Sequence, residues 1–342
     1  MMTTSSIADL RSDTITRPTP AMLEAMMSAK VGDDVLGDDP SVNELQERIA
    51  ALFGMEAALF CPSGTMANQI ALRISTSPQD EVICDKDAHI YLYEGGGMAY
   101  NSMLSPKLLV GDRGRLTAEQ VEENINADDI HFPRTKLVGL ENTMNKGGGS
   151  IYDIREIRRI RKVCDAHGLN LHMDGARFFN ALAETGEDPA DYGGLFDTLS
   201  ISFSKGLGAP VGSVLLASKP MIKEAKRVRK AMGGGMRQAG YLAVACTYAL
   251  DHHRTRLAED HQRARAIGRG LEGQPFIGEV IPVVTNIVIA ELDGISPEEY
   301  LKKLAKKGVL AVSFGKKAVR FVTHLDFTDD HLEQTLSTFK SL

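Results

Sequence analysis

The sequence predicts an α/β fold: a mainly parallel sheet covered on both faces by helices, followed by a smaller α+β unit. Two observations predict it. From about residue 20, short apolar runs alternate with helical periodicity, with no repeat, low-complexity tract or long linker between them. After Met221 that order changes, and two long helical stretches lead away from the sheet pattern.

Taken in order, Ser41 and Glu44 have the spacing of a capping box for a helix over Val42–Leu52, which stops at Gly54. Ala57–Phe60, Val82–Cys84, Lys107–Val110, Lys136–Leu140, Leu171–Met173, Leu199–Phe203 and Ser213–Ala217 are strand candidates. Asp153 and Glu156 cap a helix that runs to about His167. Helices are expected near Gln238–His253 and Leu257–Leu271, then a strand at Val283–Leu292, a helix at Pro297–Lys306, a strand at Val319–Thr323 and a helix at Asp329–Phe339. At 342 residues, one large domain plus a smaller one is expected rather than a single unit.

Hydrophobic residues make up 43% and charged residues 25%, as in ordinary globular proteins. A net charge of -6 argues against a nucleic-acid surface; the densest basic run, Lys226 to Lys230, reads as a solvated helix face. Cys61, Cys84, Cys164 and Cys246 are scattered without C-x-x-C spacing, which suits reduced thiols and neither a disulfide framework nor a structural zinc. The first residues carry no charged and apolar leader pattern, and no run approaches the roughly 18 apolar residues of a membrane span. A cytoplasmic protein without a metal is expected.

In open α/β sheets ligands bind beyond the carboxyl ends of the strands, so the loops that follow strands carry the chemistry. Lys205 follows the apolar run Thr198–Phe203, hedged by Ser204 and Gly206. A desolvated lysine has a lowered pKa and can attack a carbonyl. Asp174 ends another apolar strand. A lysine and an aspartate ending two strands of one sheet suggest a pyridoxal phosphate (PLP) site, the aspartate for the pyridine nitrogen and the lysine for the aldehyde. The alternative is a surface lysine in a glycine turn.

Ser63, Gly64 and Thr65 open a helix, where free N–H groups, two hydroxyls and the positive end of a dipole suit a phosphate; plain N-capping is the other reading. Arg177 can grip a carboxylate with its planar fork. His89 could stack on an aromatic ring or shuttle a proton. His131, His167, His172, His252, His253, His261, His324 and His331 are read as structural. The loop after Leu140 supplies polar groups around one apolar residue, Met144. Arg237 follows three glycines at a helix start, where a cation is not electrostatically favoured and a nearby anion would explain it.

Together these segments resemble the low-specificity L-threonine aldolases of the PLP fold type I (aspartate-aminotransferase-like) superfamily. The resemblance runs from Asp9-Leu10-Arg11-Ser12-Asp13-Thr14 through Val31-Gly32-Asp33-Asp34, Ser63-Gly64-Thr65, Asp174-Gly175-Ala176-Arg177, Ser204-Lys205-Gly206-Leu207-Gly208 and Gly233-Gly234-Gly235-Met236-Arg237-Gln238 to Val319-Arg320-Phe321-Val322-Thr323-His324. It implies an N-terminal arm (1–20) contributing to the active site, a large PLP-binding domain (21–255) and a small C-terminal domain (256–342). It implies that Lys205 is the Schiff-base lysine, Asp174 the partner of the pyridine nitrogen, Ser63, Gly64 and Thr65 the phosphate cradle, and His89 the imidazole stacked on the ring. Ser12, Arg177 and Arg320 would hold the substrate carboxylate, and Lys230 and Arg237 would reach the cofactor of a neighbouring subunit in a homotetramer of two catalytic dimers. The implied reaction is retro-aldol cleavage of threonine or allo-threonine to glycine and acetaldehyde.

Two positions depart from the family pattern: Met144 stands where a histidine is usual, and Leu36 where a tyrosine is frequent. Methionine cannot act as a base, so any such task falls to His89, to a water, or to no group at all. This departure leaves open β-elimination, racemisation or transamination on the same cofactor. The α/β pattern alone would also allow a metabolite-binding protein without PLP, although no G-x-G-x-x-G follows the first strand.

Overall fold

The computed structural model describes residues 7–342; the first six residues of the expected arm lie outside the described residues. A seven-stranded sheet is built from β1 (Ala57–Cys61), β2 (Glu81–Asp85), β3 (Ser105–Leu109), β4 (Thr135–Glu141), β5 (Asn170–Gly175), β6 (Thr198–Ser202) and β7 (Ser213–Ala217), in the spatial order 1-7-6-5-4-2-3. Strand β7 pairs antiparallel with both β1 and β6, and every other pairing is parallel. The reason is the length of the connection from Phe203 to Gly212. It is too short for a helical crossover, so the chain returns antiparallel.

The sheet is buried on both faces. Val138, Leu171, Met173, Leu199 and Ile201 pack against apolar residues of the helices Pro40–Phe53, Ile154–His167 and Phe178–Thr185. Leu59, Cys61 and Leu215 pack with Ala67, Ile70 and Ala71 of helix Gly64–Ser75 and Ile222 and Ala225 of helix Lys219–Ala231. A second core joins Ala8 and Leu10 to Ala264, Ile267, Val288, Tyr300, Phe321 and Phe339. It lies on a four-stranded antiparallel sheet of β8 (Ile277–Val280), β9 (Ile287–Leu292), β10 (Val312–Phe314) and β11 (Ala318–Val322), ordered 10-11-9-8. Ala8 and Asp9 pair with Val309 and Leu310, which ties the N-terminal segment to this unit.

Some local expectations are corrected. The early helix spans Pro40–Phe53 and its cap is Asp39, whose Oδ1 accepts from the N–H groups of Ser41 and Val42 at 3.1 Å. Pro40, with its preset φ and no N–H, fixes the first turn earlier than the Ser41–Glu44 pattern implies. The Ser41 hydroxyl donates to Lys30 O instead. Helix Ile154–His167 is capped by Asp153, but Glu156 accepts from Ala118 N rather than closing a box. The strand expected from Val283 begins at Ile287, because Thr285 and Asn286 leave the ladder to donate to Gly149 O and the Asp13 carboxylate.

Candidate active site

The carboxyl ends of β1, β2, β4, β5 and β6 lie along one edge of the large sheet, and the loops leaving them carry the polar residues singled out above. Lys205 sits in the β6–β7 connection. Its carbonyl accepts from Gly208 N at 2.8 Å and Thr16 Oγ1 at 3.0 Å, while Ala209 N donates to Phe203 O. The turn is completed by Gly208 at φ +77, a conformation that favours glycine. Burial lowers the Lys205 pKa, the Arg177 guanidinium lowers it further, and the carboxylates of Asp174, Asp13 and Glu141 oppose the fall only in part. The amine is thereby moved toward its neutral, nucleophilic form.

Asp174 lies at the end of β5, directly opposite Glu141 of β4 and Ser200 of β6. Paired positions in a parallel ladder share a face, so one helix residue can reach both Asp174 and Ser200. That residue is Asn68. Its amide nitrogen donates to Asp174 Oδ2 and Glu94 Oε1, both at 2.8 Å, and its oxygen accepts from Ser200 Oγ at 2.6 Å. His172, two residues before Asp174 and on the same face, meets Asn68 and Thr198, and burial pushes its pKa down to about 4. Asp174 is therefore a buried carboxylate held by an amide and backed by a neutral imidazole.

His89 begins a short helix after β2. Its backbone N–H donates to Glu141 Oε2 at 2.7 Å, and its Nδ1 lies 3.0 Å from Glu94 Oε1 and 3.8 Å from Asp174 Oδ2. Burial alone would lower its pKa, but the hydrogen bond to Glu94 and the charges of Asp174 and Glu141 raise it on balance. Glu141 is also buried and faces Asp174. Burial and then that like charge push its carboxyl up to about 7, although Asn145 N and His89 N both donate to it.

A third group lies where the N-terminal segment meets the small domain. Arg177 Nε and Nη2 donate to the two Asp13 oxygens at 2.7 and 2.8 Å, and Asn286 Nδ2 donates to Asp13 Oδ2 at 3.0 Å. Ser12 Oγ accepts from Thr14 N and Thr14 Oγ1 and caps the short turn Asp13–Ile15. Arg320, on β11, donates from Nη1 to Asn145 Oδ1 and from Nη2 to Arg11 O. Its Nε is buried and, among the described residues, has no hydrogen-bond partner. Burial and then the neighbouring Arg177 lower its pKa, and the Asp13 carboxylate opposes the fall only in part.

At the end of β1, Ser63 caps helix Gly64–Ser75 by accepting from Met66 N at 3.1 Å. A Cβ on Gly64 would lie 2.7 Å from Ser202 Oγ, so only glycine fits without a shift. Among the described residues, the N–H groups of Gly64 and Thr65 and the exposed Thr65 hydroxyl meet no protein acceptor or donor.

Four of the expected residues stand apart. Arg237 pairs with Asp33 at 3.0 Å and Lys230 is exposed beside Gly235; neither bonds to Lys205, Asp174 or His89 of its own chain. The anion that explains a cation at this helix start is therefore Asp33, while the helix itself, Gly240–His252, is met by the Asp39 carboxylate on Gly240 N. Leu36 is 72% exposed. Met144 is fully buried, and its side chain fills the space over Gly114, where a Cβ would meet Met144 Cγ at 2.4 Å. Glu94, Asp13, Asn145 and Asn286 had no assigned role in the sequence reading. The signals for them were faint: Glu94 lies five residues after His89, and Asp13 lies next to Ser12.

The residues present fit PLP: a desolvated lysine, a buried aspartate held for a pyridine nitrogen, a glycine at a helix start that no side chain could replace, and buried donors without acceptors. The seven-stranded sheet with this site at its carboxyl edge defines a PLP enzyme of fold type I. The β-eliminating lyase model matches residues 9–294. The chain is 42% identical to the low-specificity L-threonine aldolase of Escherichia coli, covering 97% of this chain and 98% of that protein. It is 39% identical to low-specificity L-threonine aldolase 1 of Arabidopsis thaliana, covering 97% and 95%. A threonine aldolase structure from Leishmania major superposes with a TM-score of 0.84 at 22% identity, over 97% of this chain and 98% of that one. The chain belongs to the low-specificity L-threonine aldolase family, within the β-eliminating lyases.

Proposed function

We propose that this enzyme cleaves β-hydroxy-α-amino acids, threonine and allo-threonine among them, to glycine and an aldehyde by a retro-aldol reaction. The observation that carries the reading is the desolvated Lys205 amine at the same sheet edge as Asp174, in a chain of the threonine aldolase family. When bound, PLP supplies an electron sink for the pair released as the Cα–Cβ bond breaks. Lys205 would hold the cofactor, Asp174 would keep its pyridine nitrogen protonated, Ser63, Gly64 and Thr65 would take its phosphate, and His89 would contribute the imidazole beside it. Arg320 Nε, Arg177 through its remaining Nη1, and Ser12 hold the substrate carboxylate, which orients the Cα–Cβ bond for cleavage. Asp13 and Asn145 keep the two guanidinium groups in place.

The test is a panel of L-threonine, L-allo-threonine, L-phenylserine and L-serine, scored for aldehyde and glycine. Equimolar glycine and acetaldehyde from the first two is the expected result. Met144 leaves open a second reading on the same cofactor: β-elimination, racemisation or transamination. Pyruvate or a D-amino acid as the main product, without glycine, would establish that reading instead.

We place the enzyme as a homotetramer of two catalytic dimers in the cytoplasm. The exposed Leu36, Tyr93 and Tyr100, and an Arg237 and Lys230 that do not bond to their own chain's site, support the assembly. Lys230 and Arg237 then reach the cofactor of the neighbouring subunit, and Leu36 lies at the edge of the pocket. Four buried, free cysteines suit a reducing compartment, and no described helix is long and apolar enough to cross a membrane. Light scattering at micromolar concentration tests the assembly; a monomer with full activity excludes it.

A further inference from the structure

We propose that a second ligand site lies between helix Phe178–Thr185 and the turn over 253–256, which joins helices Gly240–His252 and Leu257–Leu271, and that it takes a small monocarboxylate with a branched aliphatic body. The inference is independent of the retro-aldol reading, because no group assigned to the cleavage lines this site.

A cavity of about 550 Å³ opens there, within the range of small-molecule sites. Its floor is apolar: Phe179, Leu182 and Leu250 are all buried. Arg254 lines it with its guanidinium over the Phe179 ring, 5.1 Å from the centroid. Stacking engages the flat face of a guanidinium and leaves the N–H groups round its edge free to donate. Among the described residues those groups meet no acceptor: the Arg254 side chain makes no hydrogen bond or ion pair. The two carboxylates that line the same cavity are already engaged, Asp251 by Arg48 and Glu187 by the Tyr192 hydroxyl. Burial lowers the Arg254 pKa, and Asp188 and Asp251 oppose the fall only in part.

These groups set the chemistry of the occupant. A half-buried guanidinium without an acceptor favours a carboxylate, which its fork can hold by two parallel hydrogen bonds. The phenylalanine and leucines of the floor favour an aliphatic body, because burying it there removes apolar surface from water. A multiply charged anion is disfavoured, because Glu187, Asp188 and Asp251 surround the one free cation. Phe179 is the second residue of a helix whose cap is Arg177, and the His253 Nδ1, next to Arg254, lies 2.7 Å from Leu207 O in the turn of Lys205. An occupant therefore rests on two elements that carry active-site side chains, without meeting those side chains.

The experiment titrates the PLP-loaded enzyme by calorimetry with isocaproate, with the neutral isocaproamide and with L-leucine. Wild type is expected to bind isocaproate saturably and the amide about tenfold to a hundredfold more weakly, for loss of a charge-assisted hydrogen bond. Arg254→Met, which keeps the stem over Phe179 and removes the charge, is expected to weaken isocaproate by a similar factor. Ala183→Phe, at an exposed lining position, fills the cavity with Arg254 in place and is expected to abolish binding, so the test survives if the first variant does not fold. Arg320→Ala is expected to leave the affinity for isocaproate unchanged, which separates this site from that of the substrate carboxylate. L-leucine adds an ammonium group to a similar branched body and is compared with isocaproate in Arg320→Ala: tighter binding assigns an amino acid as the source of the carboxylate, weaker binding a simple acid. The absence of saturable binding of either compound overturns the proposal. So does binding that Arg254→Met and Ala183→Phe leave intact, or that Arg320→Ala removes.

Discussion

Arg177 and Asp13 form a two-pronged ion pair at 2.7 and 2.8 Å, with side chains 6% and 0% exposed. The pair joins the end of β5 to the N-terminal segment, and Asn286 joins both to the small domain. It is a junction at which three separate stretches of the chain meet on one carboxylate. Breaking it leaves a buried, uncompensated guanidinium. Asp13→Asn is therefore expected to destabilise the fold by about 3–5 kcal/mol at pH 7, read from urea unfolding.

The same pair has a pH signature. Burial alone would raise the Asp13 carboxyl, but Arg177 and then Lys205 hold it well below the usual carboxylate range. Its contribution to stability is complete above the unfolded value of 3.8 and is lost as pH falls through the lower folded value. The stability gap between wild type and Asp13→Asn should be constant from pH 7 to about 4 and should narrow below that. A gap that widens on acidification would show that another group dominates.

Glu141 should behave in the opposite sense. Its carboxyl is raised from 4.5 to about 7 by burial and by Asp174, so it favours the folded state most below the unfolded value and loses that contribution as pH rises through the folded one. Glu141→Gln removes the titration and one accepted hydrogen bond, at a cost of about 1 kcal/mol. Thermal melts should show the variant's deficit at pH 5 shrinking or reversing by pH 8.

Arg320 carries a buried Nε that has no partner among the described residues, and Arg177 lies near enough to lower its pKa. A substrate carboxylate placed there would gain a charge-assisted hydrogen bond of about 1.5–3 kcal/mol. Arg320→Ala should raise KM for L-threonine about tenfold to a hundredfold, with a smaller effect on kcat, in steady-state assays.

Met144→His would restore the family's usual residue but not its chemistry. The side chain at 144 is fully enclosed over Gly114, at φ +84. A histidine there buries a polar ring without a prepared partner and should cost about 1–3 kcal/mol of stability while leaving kcat for threonine unchanged. A large gain in rate would mean that position 144 reaches the reacting hydroxyl.

The alternation of apolar runs with helical periods was enough to place the strands of the large sheet, and the Lys205 and Asp174 loops were legible because such residues rarely end buried strands without a task. Helix ends were less so: the Ser41–Glu44 pattern was outcompeted by a cap at Asp39, two residues earlier, followed by Pro40, because local signals of similar strength overlap. What only the tertiary structure decided was partnership. The sequence determined that Arg177 could grip a carboxylate, but Asp13, 164 residues away, already holds two of its nitrogens. It determined that His89 follows a strand, with Glu94 five residues on, but the amides of Asn68 and Gln69 that hold Glu94 beside the ring come from the helix Gly64–Ser75. Residue type and spacing specify strands, caps and turns because those depend on near neighbours. Which buried charge meets which depends on the register of β4, β5 and β6 and on the return of the N-terminal segment, and no short window of sequence contains either.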